Sequence, residues 1–208
     1  MVKGYYLMSS TFVGEDGKRR CKWCRGPLQL INYHDTEWGY PVKDDLSLFE
    51  KLCLEGFQSG LSWRTILAKR DNFRAVFQSF DFDRVSRFQT SDVERLLANE
   101  GIVRHRGKIE AVINNAKRVD KIVKSKGSLA AFFWCYEPEK VDKFTPQSSS
   151  TSSEAVNLAK DLKRMGWQFV GPVTVHAFMQ AMGMINDHAA DCMVRDNVER
   201  ARNDFERP

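Results

Sequence analysis

The chain has 208 residues, of which 42% are hydrophobic and 28% are charged. That hydrophobic share excludes an intrinsically disordered chain, and the length suits one domain of ordinary size. A formal net charge of +5 weakly favours an anionic partner such as a nucleic acid, but it excludes no other class of partner.

The sequence predicts neither a membrane protein nor a disulfide-bonded one. No stretch approaches the roughly 20 apolar residues of a membrane-spanning helix, and residues 1–20 lack the apolar core of a signal peptide. The cysteines number five, which favours metal binding or simple burial over a disulfide framework. We therefore expect a cytoplasmic protein that has no membrane partner.

Helical periodicity recurs along the chain, with apolar residues at intervals of three and four. The predicted helices lie near 46–55, from 63 past 77, at 91–99, from about 108 onwards, and at 128–135, 153–166 and 172–183. No run of alternating apolar and polar residues predicts a sheet, so the predicted fold class is all-α. We expect a flexible leader at 1–20, one folded domain at 21–193 and a charged tail at 194–208 that frays.

Cysteine and histidine residues near both ends of the folded part form a candidate metal site. Cys21 and His34 lie near its start, and His188 and Cys192 lie four residues apart near its end. On a helix that spacing places both side chains on one face, and two cysteines with two histidines fill a tetrahedral structural zinc site. Burial without a metal is the more ordinary explanation of these residues, and Cys24 could replace Cys21 as a ligand.

A glycine-rich segment between two predicted helices is a candidate DNA-binding hairpin. It runs from Gly101 to Gly107, where glycines let the backbone approach a phosphate closely. The basic side chains that add positive charge are Arg104, His105, Arg106 and Lys108. An ordinary turn with a solvated basic face explains the same pattern equally well.

Glu55 stands at the end of an apolar helix, directly before a glycine-rich loop. The aromatic residues of the same part of the chain are Trp23, Tyr33, Trp38 and Trp63. A flipped, positively charged base needs rings that stack on it and a carboxylate that balances its charge. From the residue types alone, core packing of the aromatic residues and an ordinary helix-end charge are the better explanation.

Several longer motifs resemble the 3-methyladenine DNA glycosylase I family of helix-hairpin-helix enzymes. The resembling segments run in order through about residues 20–193 and comprise 20–23 (RCKW), 33–39 (YHDTEWG), 54–63 (LEGFQSGLSW), 101–109 (GIVRHRGKI), 169–172 (FVGP) and 186–188 (NDH). Two residues depart from the family pattern: Phe57 stands where a polar residue is expected, and Cys24 has no counterpart. The resemblance implies a helix-hairpin-helix fold of two helical parts, with a lesion-binding cleft between them.

The resemblance also implies a role for each candidate site. The implied ligands of a structural zinc ion, which would join the N- and C-terminal segments, are Cys21, His34, His188 and Cys192. The implied base-pocket residues are Glu55, Tyr33, Trp63 and Trp23. The implied DNA contacts are Ser59, Gly60 and Leu61 at the gap left by the flipped base, and Gly101, Arg104, His105, Arg106, Gly107 and Lys108 at the hairpin.

The activity that the resemblance implies is hydrolysis of the N-glycosidic bond of 3-methyladenine in alkylated double-stranded DNA. A monomeric enzyme would release the free base and leave an abasic site, without a lyase step. The methylated base carries a positive charge that already weakens this bond, so the enzyme has to extrude and hold the base rather than protonate it. We therefore assign Glu55 mainly to recognition, secondarily to electrostatic stabilisation, and less to the activation of water as a catalytic general base.

Two other functions account for parts of the sequence. A non-catalytic DNA-binding module would use the hairpin but would have no need for a carboxylate among aromatic rings. A zinc hydrolase would need an open coordination position, which four protein ligands do not leave.

Overall fold

The computed structural model describes residues 10–139 and 145–208, which form a mostly helical protein. The predicted all-α class is confirmed to that extent, but the expectation of no sheet is wrong, because the described residues include one two-stranded antiparallel sheet. The α-helices of these ranges are α1 Leu28–Thr36, α2 Asp45–Gln58, α3 Trp63–Ala68, α4 Arg70–Val76, α5 Phe82–Val85, α6 Thr90–Leu97, α7 Arg106–Lys126, α8 Leu129–Trp134, α9 Ser153–Arg164, α10 Pro172–Ala181 and α11 Arg195–Asp204. The described ranges also contain two strands, β1 Thr11–Val13 and β2 Arg19–Cys21, and two 3-10 turns, Lys22–Cys24 and Gln78–Phe80. Among the described residues, no helix combines the length and the apolar character needed to cross a membrane.

Helix α2 is the central helix of the fold. Asp44 caps it by accepting a hydrogen bond from the backbone N–H of Ser47 at 2.7 Å. Nearly every residue from Leu48 to Phe57 is buried, and the helix packs against α8 and α10 on its way through the core. Because the last turn of α2 is enclosed in this way, a side chain in that turn has a fixed position.

The helix predicted from Trp63 past Phe77 is in fact two helices. α3 and α4 meet at Lys69, whose φ of −104° and ψ of 0° depart from helical values. Phe73 and Phe77 of the second part are fully buried in the same core as the first part. The apolar spacing therefore continues across the break, which is why periodicity alone does not show it.

Residues 10–20 form a hairpin, so the flexible leader predicted there is wrong for this stretch. β1 and β2 pair antiparallel, in a register that places Thr11 opposite Cys21. The buried guanidinium of Arg20 donates to Asp35 of α1 at 2.9 Å and to Asp16 at 2.7 Å. The hairpin is thereby held against α1. Residues 1–9, the rest of the predicted leader, lie outside the described residues.

The C-terminal segment forms α11, so the prediction of a fraying tail is also wrong. Arg202 of α11 is buried and donates to Glu137 at 3.0 Å. The ring of Phe205 lies 4.5 Å, centroid to centroid, from that of Trp134 in α8. The charged side chains of this segment form ion pairs or lie on its outer face, while its inner face packs on the core.

Candidate functional site

Glu55 lies buried in the last turn of α2 with a lysine as its partner. Its Oε1 atom is 2.7 Å from Nζ of Lys51, which lies one turn earlier on the same face of the helix. Each of the two residues is only 6% exposed. The predicted carboxylate is thus inside the fold, and its charge is compensated by the ammonium group.

Aromatic rings from three elements lie around this ion pair. The ring centroids of Tyr33 in α1 and Trp63 at the start of α3 are 5.1 Å apart. The Lys51 ammonium lies 3.3 Å from the Trp63 centroid and 5.1 Å from the Tyr33 centroid. Trp23, in the turn after β2, extends the cluster, with its ring 6.4 Å from Tyr33 and 4.9 Å from Trp38. The structure thus brings together the predicted pocket residues.

Three polar atoms of these rings are buried without a hydrogen-bond partner, namely Nε1 of Trp23, Oη of Tyr33 and Nε1 of Trp63. An unpaired buried polar group costs about 1–3 kcal/mol of stability, so such groups are uncommon. Burial, together with the nearby Glu55 carboxylate, raises the pKa of Tyr33 well above its usual value, so the hydroxyl stays protonated. Three unpaired groups in one cluster indicate a ligand whose polar atoms complete them.

Lys51 belongs to this cluster although it was not predicted from the sequence. Burial lowers the pKa of its ammonium group, and the neighbouring Glu55 carboxylate offsets only part of that effect. The available signal was the i, i+4 spacing of Lys51 and Glu55 within an apolar helix, since a lysine is seldom buried unless it is paired.

The residues predicted to probe the DNA lie in the exposed loop between α2 and α3. Gly60 has a φ of +81°, in the left-handed region that favours glycine. Leu61 is 44% exposed at the tip of this loop, near the exposed Ser59. An exposed apolar side chain on a tight turn is suited to insertion between bases.

Lys108 connects this loop to the start of α7. Its ammonium group is buried and donates to the backbone carbonyls of Phe57 at 2.9 Å and Ser59 at 2.6 Å. Because the group points into the protein, the predicted phosphate contact of Lys108 is not supported by its position. Phe57, which departs from the family pattern, is fully buried with its ring 4.6 Å from that of Phe73, so it is a core residue rather than a DNA contact.

The basic residues of the glycine-rich segment lie at the N-terminus of α7. His105 caps this helix by accepting a hydrogen bond from the backbone N–H of Lys108 at 3.2 Å. Arg104 and Arg106 are about half exposed and pair with surface carboxylates at 3.5 Å and 2.8 Å. Exposed ion pairs of this kind contribute little to stability, so both guanidinium groups are available to an anion.

The two glycines of the segment stand where space is limited. A Cβ at Gly101 would lie 3.0 Å from the side chain of Asn72. A Cβ at Gly107 would lie 3.3 Å from the ring of His105. Glycine at both positions therefore lets the glycine-rich segment and the first turn of α7 pack closely against the neighbouring side chains.

Three of the four predicted metal ligands lie together and are buried. One ligand atom from each of Cys21, His34 and Cys192 lies within 4.8 Å of the others. Asp35 accepts at 2.7 Å from Nδ1 of His34, whose Nε2 faces Sγ of Cys192 at 3.5 Å. The hydrogen bond between the two thiols lowers the pKa of Cys192 and raises the pKa of Cys21, and His34 lowers that of Cys192 further. One thiol of the pair therefore ionises readily, as binding of a metal requires.

His188 lies beside this group with one ring nitrogen unpartnered. Its ring centroid is 5.0 Å from that of His34. Its Nδ1 lies 3.0 Å from Oδ1 of Asn186, whereas its Nε2 is buried without a partner. Burial and the neighbouring His34 lower the pKa of His188 to about 3, so the imidazole is neutral. With the proton on Nδ1, Nε2 offers a lone pair next to His34, although His188 lies outside the group of three ligand atoms within 4.8 Å of one another.

The helical face predicted for His188 and Cys192 is wrong, because both lie in the irregular segment between α10 and α11. That segment is held against the hairpin, where the backbone N–H of Ala189 donates to Sγ of Cys21 at 3.3 Å. Cys24 is also buried, but its thiol donates to the backbone carbonyl of Cys21 at 3.1 Å. Of the two N-terminal cysteines, Cys21 is the one whose sulfur lies in the three-residue group.

Known proteins are similar to this chain over most of its length. The sequence model of a family described as methyladenine glycosylase matches residues 23–196. The chain is 44% identical to DNA-3-methyladenine glycosylase 1 of Escherichia coli strain K12 over 177 residues, which cover 83% of this chain and 95% of the relative. It is 40% identical to the DNA-3-methyladenine glycosylase of Haemophilus influenzae over 177 residues, with 83% and 96% covered. A crystal structure of a 3-methyladenine DNA glycosylase I variant in complex with 3-methyladenine matches with a TM-score of 0.80 at 35% identity, covering 85% of this chain and 97% of that one.

Proposed function

The chain belongs to the methyladenine glycosylase family, and we propose on this basis that it hydrolyses the N-glycosidic bond of 3-methyladenine in alkylated DNA. It would release the free base and leave an abasic site, without a lyase step. Two relatives named for this activity and a related structure that holds the free base support this choice of substrate.

The cluster of unpartnered polar atoms near Glu55 carries the proposal. The indole N–H groups of Trp23 and Trp63 can only donate, and the Tyr33 hydroxyl can donate or accept. A methylated adenine offers ring nitrogens that accept and an amino group that donates, and its flat ring stacks on aromatic side chains. A carboxylate accepts from the amino group and balances the positive charge of the base.

Glu55 acts mainly in recognition in this mechanism. The bond between the base nitrogen and the sugar carbon breaks with its electron pair going to the base, which neutralises the positive charge of the base. Positive charge then develops on the sugar, and a nearby carboxylate stabilises it. Water adds to the sugar carbon and loses its proton to the solvent. Because the leaving base is neutral, no side chain has to protonate it, and a general-base role for Glu55 is the weaker of its possible roles.

We propose that α6, residues 98–105 and α7 form a helix-hairpin-helix that binds the backbone of double-stranded DNA, on the far side of a lesion-binding cleft. The N-terminus of α7 attracts phosphate, and the half-exposed Arg104 and Arg106 add positive charge beside it. Lys108 ties this hairpin to residues 59–61, so the loop that fills the gap is positioned relative to the phosphate contacts. Extrusion of the base costs a few kcal/mol, which these contacts offset.

The donor set near the β1–β2 hairpin fits a structural zinc ion. The ligands would be Cys21, His34, His188 and Cys192. Support comes from the three ligand atoms within 4.8 Å of one another and from the unpartnered Nε2 of the neutral His188. A bound zinc ion would supply cohesion among the hairpin, α1 and the segment before α11, and four protein ligands would leave it no position for catalysis.

The state of the cysteines supports a proposal about the cellular setting. None of the five cysteines forms a disulfide, which fits a reducing compartment, and we propose the cytoplasm. We also propose that a monomer is the active form, since the pocket and the hairpin both belong to one chain. Sedimentation of the protein bound to undamaged DNA and to alkylated DNA tests the oligomeric state.

The test of the activity is release of each methylated base from alkylated double-stranded DNA. Wild-type protein should release 3-methyladenine, and Glu55→Gln should release it about 100-fold more slowly because the charge is lost. Glu50→Gln, which removes a carboxylate from the same helix away from the pocket, is the matched control and should keep the rate. Absence of base release by the folded wild-type protein would contradict the proposal.

A further inference from the structure

The pocket of the free protein already holds a cation. The Lys51 ammonium lies 3.3 Å from the centroid of Trp63 and 2.7 Å from the carboxylate of Glu55. A positively charged base needs contact with the face of an aromatic ring and pairing with a carboxylate in the proposed function, and the ammonium group makes both, the first as a cation–π contact. The ammonium group therefore makes the contacts with Trp63 and Glu55 that a bound cationic base would make.

The charges near the pocket are compensated within the protein. Glu55 pairs with Lys51, and beyond the Tyr33 ring Glu37 pairs with Arg70 at 2.5 Å. A cationic base therefore meets a carboxylate that already has a partner. Binding of the base to Glu55 is an exchange of one cation for another.

Lys51 and a stacked base cannot occupy the same face of Trp63. Atoms in van der Waals contact lie about 3.5–4.0 Å apart, so a base on this face would lie in the layer that the ammonium occupies. The four-carbon stem of lysine is flexible and its ammonium is readily hydrated, so the side chain can move outward. A base that stacked on this face would therefore have to displace the lysine.

We propose that Lys51 is a displaceable cation that fills the base pocket of the free enzyme and yields its place to the positively charged base. The inference rests on the proposed function, because it takes that function's base as the competitor. Every base that enters has to replace the contacts of Lys51 with Glu55 and Trp63. The cationic base restores a charge pair with Glu55, whereas a neutral adenine does not, so the lysine sets a threshold that normal bases fail to reach.

Affinity for free 3-methyladenine, followed by quenching of pocket tryptophan fluorescence, tests the proposal. Lys51→Met removes the competing cation and keeps most of the side-chain volume, so the base should bind about tenfold more tightly, which corresponds to about 1.4 kcal/mol. Lys124→Met is the matched control, because Lys124 forms an exposed i, i+4 pair with Asp120 at 2.6 Å, and it should leave the affinity unchanged. Equal or weaker binding by folded Lys51→Met would overturn the proposal.

Acetylation of lysines in the wild-type protein gives a second measurement that needs no variant. Lys51 is buried in the free protein and should be acetylated several-fold faster when 3-methyladenine saturates the pocket. Lys108, which is buried against two carbonyls, should stay protected in both states and so reports any general loosening. Protection of Lys51 that is unchanged by the base would overturn the displacement.

These measurements separate the two proposals. Wild-type protein that neither binds 3-methyladenine nor releases it from alkylated DNA would contradict the proposed function itself. Wild-type protein that does both, while Lys51 stays protected and Lys51→Met binds no more tightly, would contradict only the displacement of Lys51.

Discussion

Each of the three buried polar groups without a partner is unfavourable for folding. The hydroxyl of Tyr33 and the indole N–H groups of Trp23 and Trp63 are desolvated when the chain folds, yet they make no hydrogen bond in the free protein. A residue selected only for stability would not leave such groups unpaired. Opposite effects on stability and on base binding are therefore the expected signature of these side chains.

Tyr33→Phe should separate the two effects. Loss of an unpaired buried hydroxyl should leave the free energy of unfolding unchanged or raise it by up to about 1 kcal/mol, while affinity for 3-methyladenine falls by about fivefold to tenfold. Urea unfolding and base titration measure the two quantities. Tyr136→Phe is the control, because the Tyr136 hydroxyl donates to Asp161 at 2.5 Å and its loss should reduce stability without changing base affinity. The interpretation fails if Tyr33→Phe is destabilised as much as the control.

At the scale of elements, local sequence patterns predicted the helices whose apolar spacing and end residues lie within the helix or next to it. The apolar spacing and the acidic cap predicted α2, and a proline at the start predicted α10. The hairpin and α11 could not be predicted in this way, because partners far apart in sequence hold them. Arg20 is paired with Asp35 across 15 residues, and Arg202 with Glu137 across 65. No periodicity within either segment reports such a contact.

The same reasoning applies to the candidate sites. The aromatic residues and the carboxylate could be proposed as a pocket from their types and from family resemblance. The occupation of that pocket by Lys51 depends on a side-chain position that places its ammonium over Trp63, a residue from another helix. For Lys108, the residue type suggested a phosphate contact, and only the packing of α7 against the loop shows that its partners are backbone carbonyls.

Docking of α11 should depend on pH through Glu137. Burial opposes ionisation of this carboxyl group, but hydrogen bonds from Arg207 and Arg202 outweigh burial and lower its pKa below the usual 4.5. A carboxyl group with a lowered pKa stabilises the fold above its unfolded-state pKa, and this contribution is lost as the pH falls through the folded-state value. Glu137→Gln should therefore cost about 1–3 kcal/mol at pH 7, with a smaller difference from wild type below pH 4.5.

Urea unfolding of wild type and Glu137→Gln at a series of pH values measures this effect. Asp120→Asn, which removes one partner of an exposed pair on α7, serves as the control and should change little at any pH. A stability difference for Glu137→Gln that stayed constant from pH 7 to well below pH 4.5 would contradict the role of the ionised carboxylate.

On the scale of the whole molecule, the candidate metal centre and the candidate base pocket share α1. Tyr33 faces the pocket, and the next residue, His34, belongs to the metal group. Trp38, after α1, lies 4.6 Å from the ring of His188 and 4.9 Å from that of Trp23, both measured between centroids. A change in the metal centre is therefore expected to reach the pocket through α1 and these rings.

Removal of the proposed zinc ion tests this connection. Zinc would join the N-terminal hairpin to the segment before α11, across nearly the whole chain, so its loss should lower the melting temperature by about 10 °C. Cys192→Ser should lose the metal and show the same decrease, with weaker binding of 3-methyladenine as α1 loosens. Cys24→Ser should retain one zinc ion per chain, because the Cys24 thiol is directed at a backbone carbonyl. Metal content and thermal unfolding are measured together for each variant. A Cys192→Ser protein that is metal-loaded and equally stable would contradict the four-ligand site. A metal-free Cys24→Ser protein would assign the N-terminal sulfur ligand to Cys24.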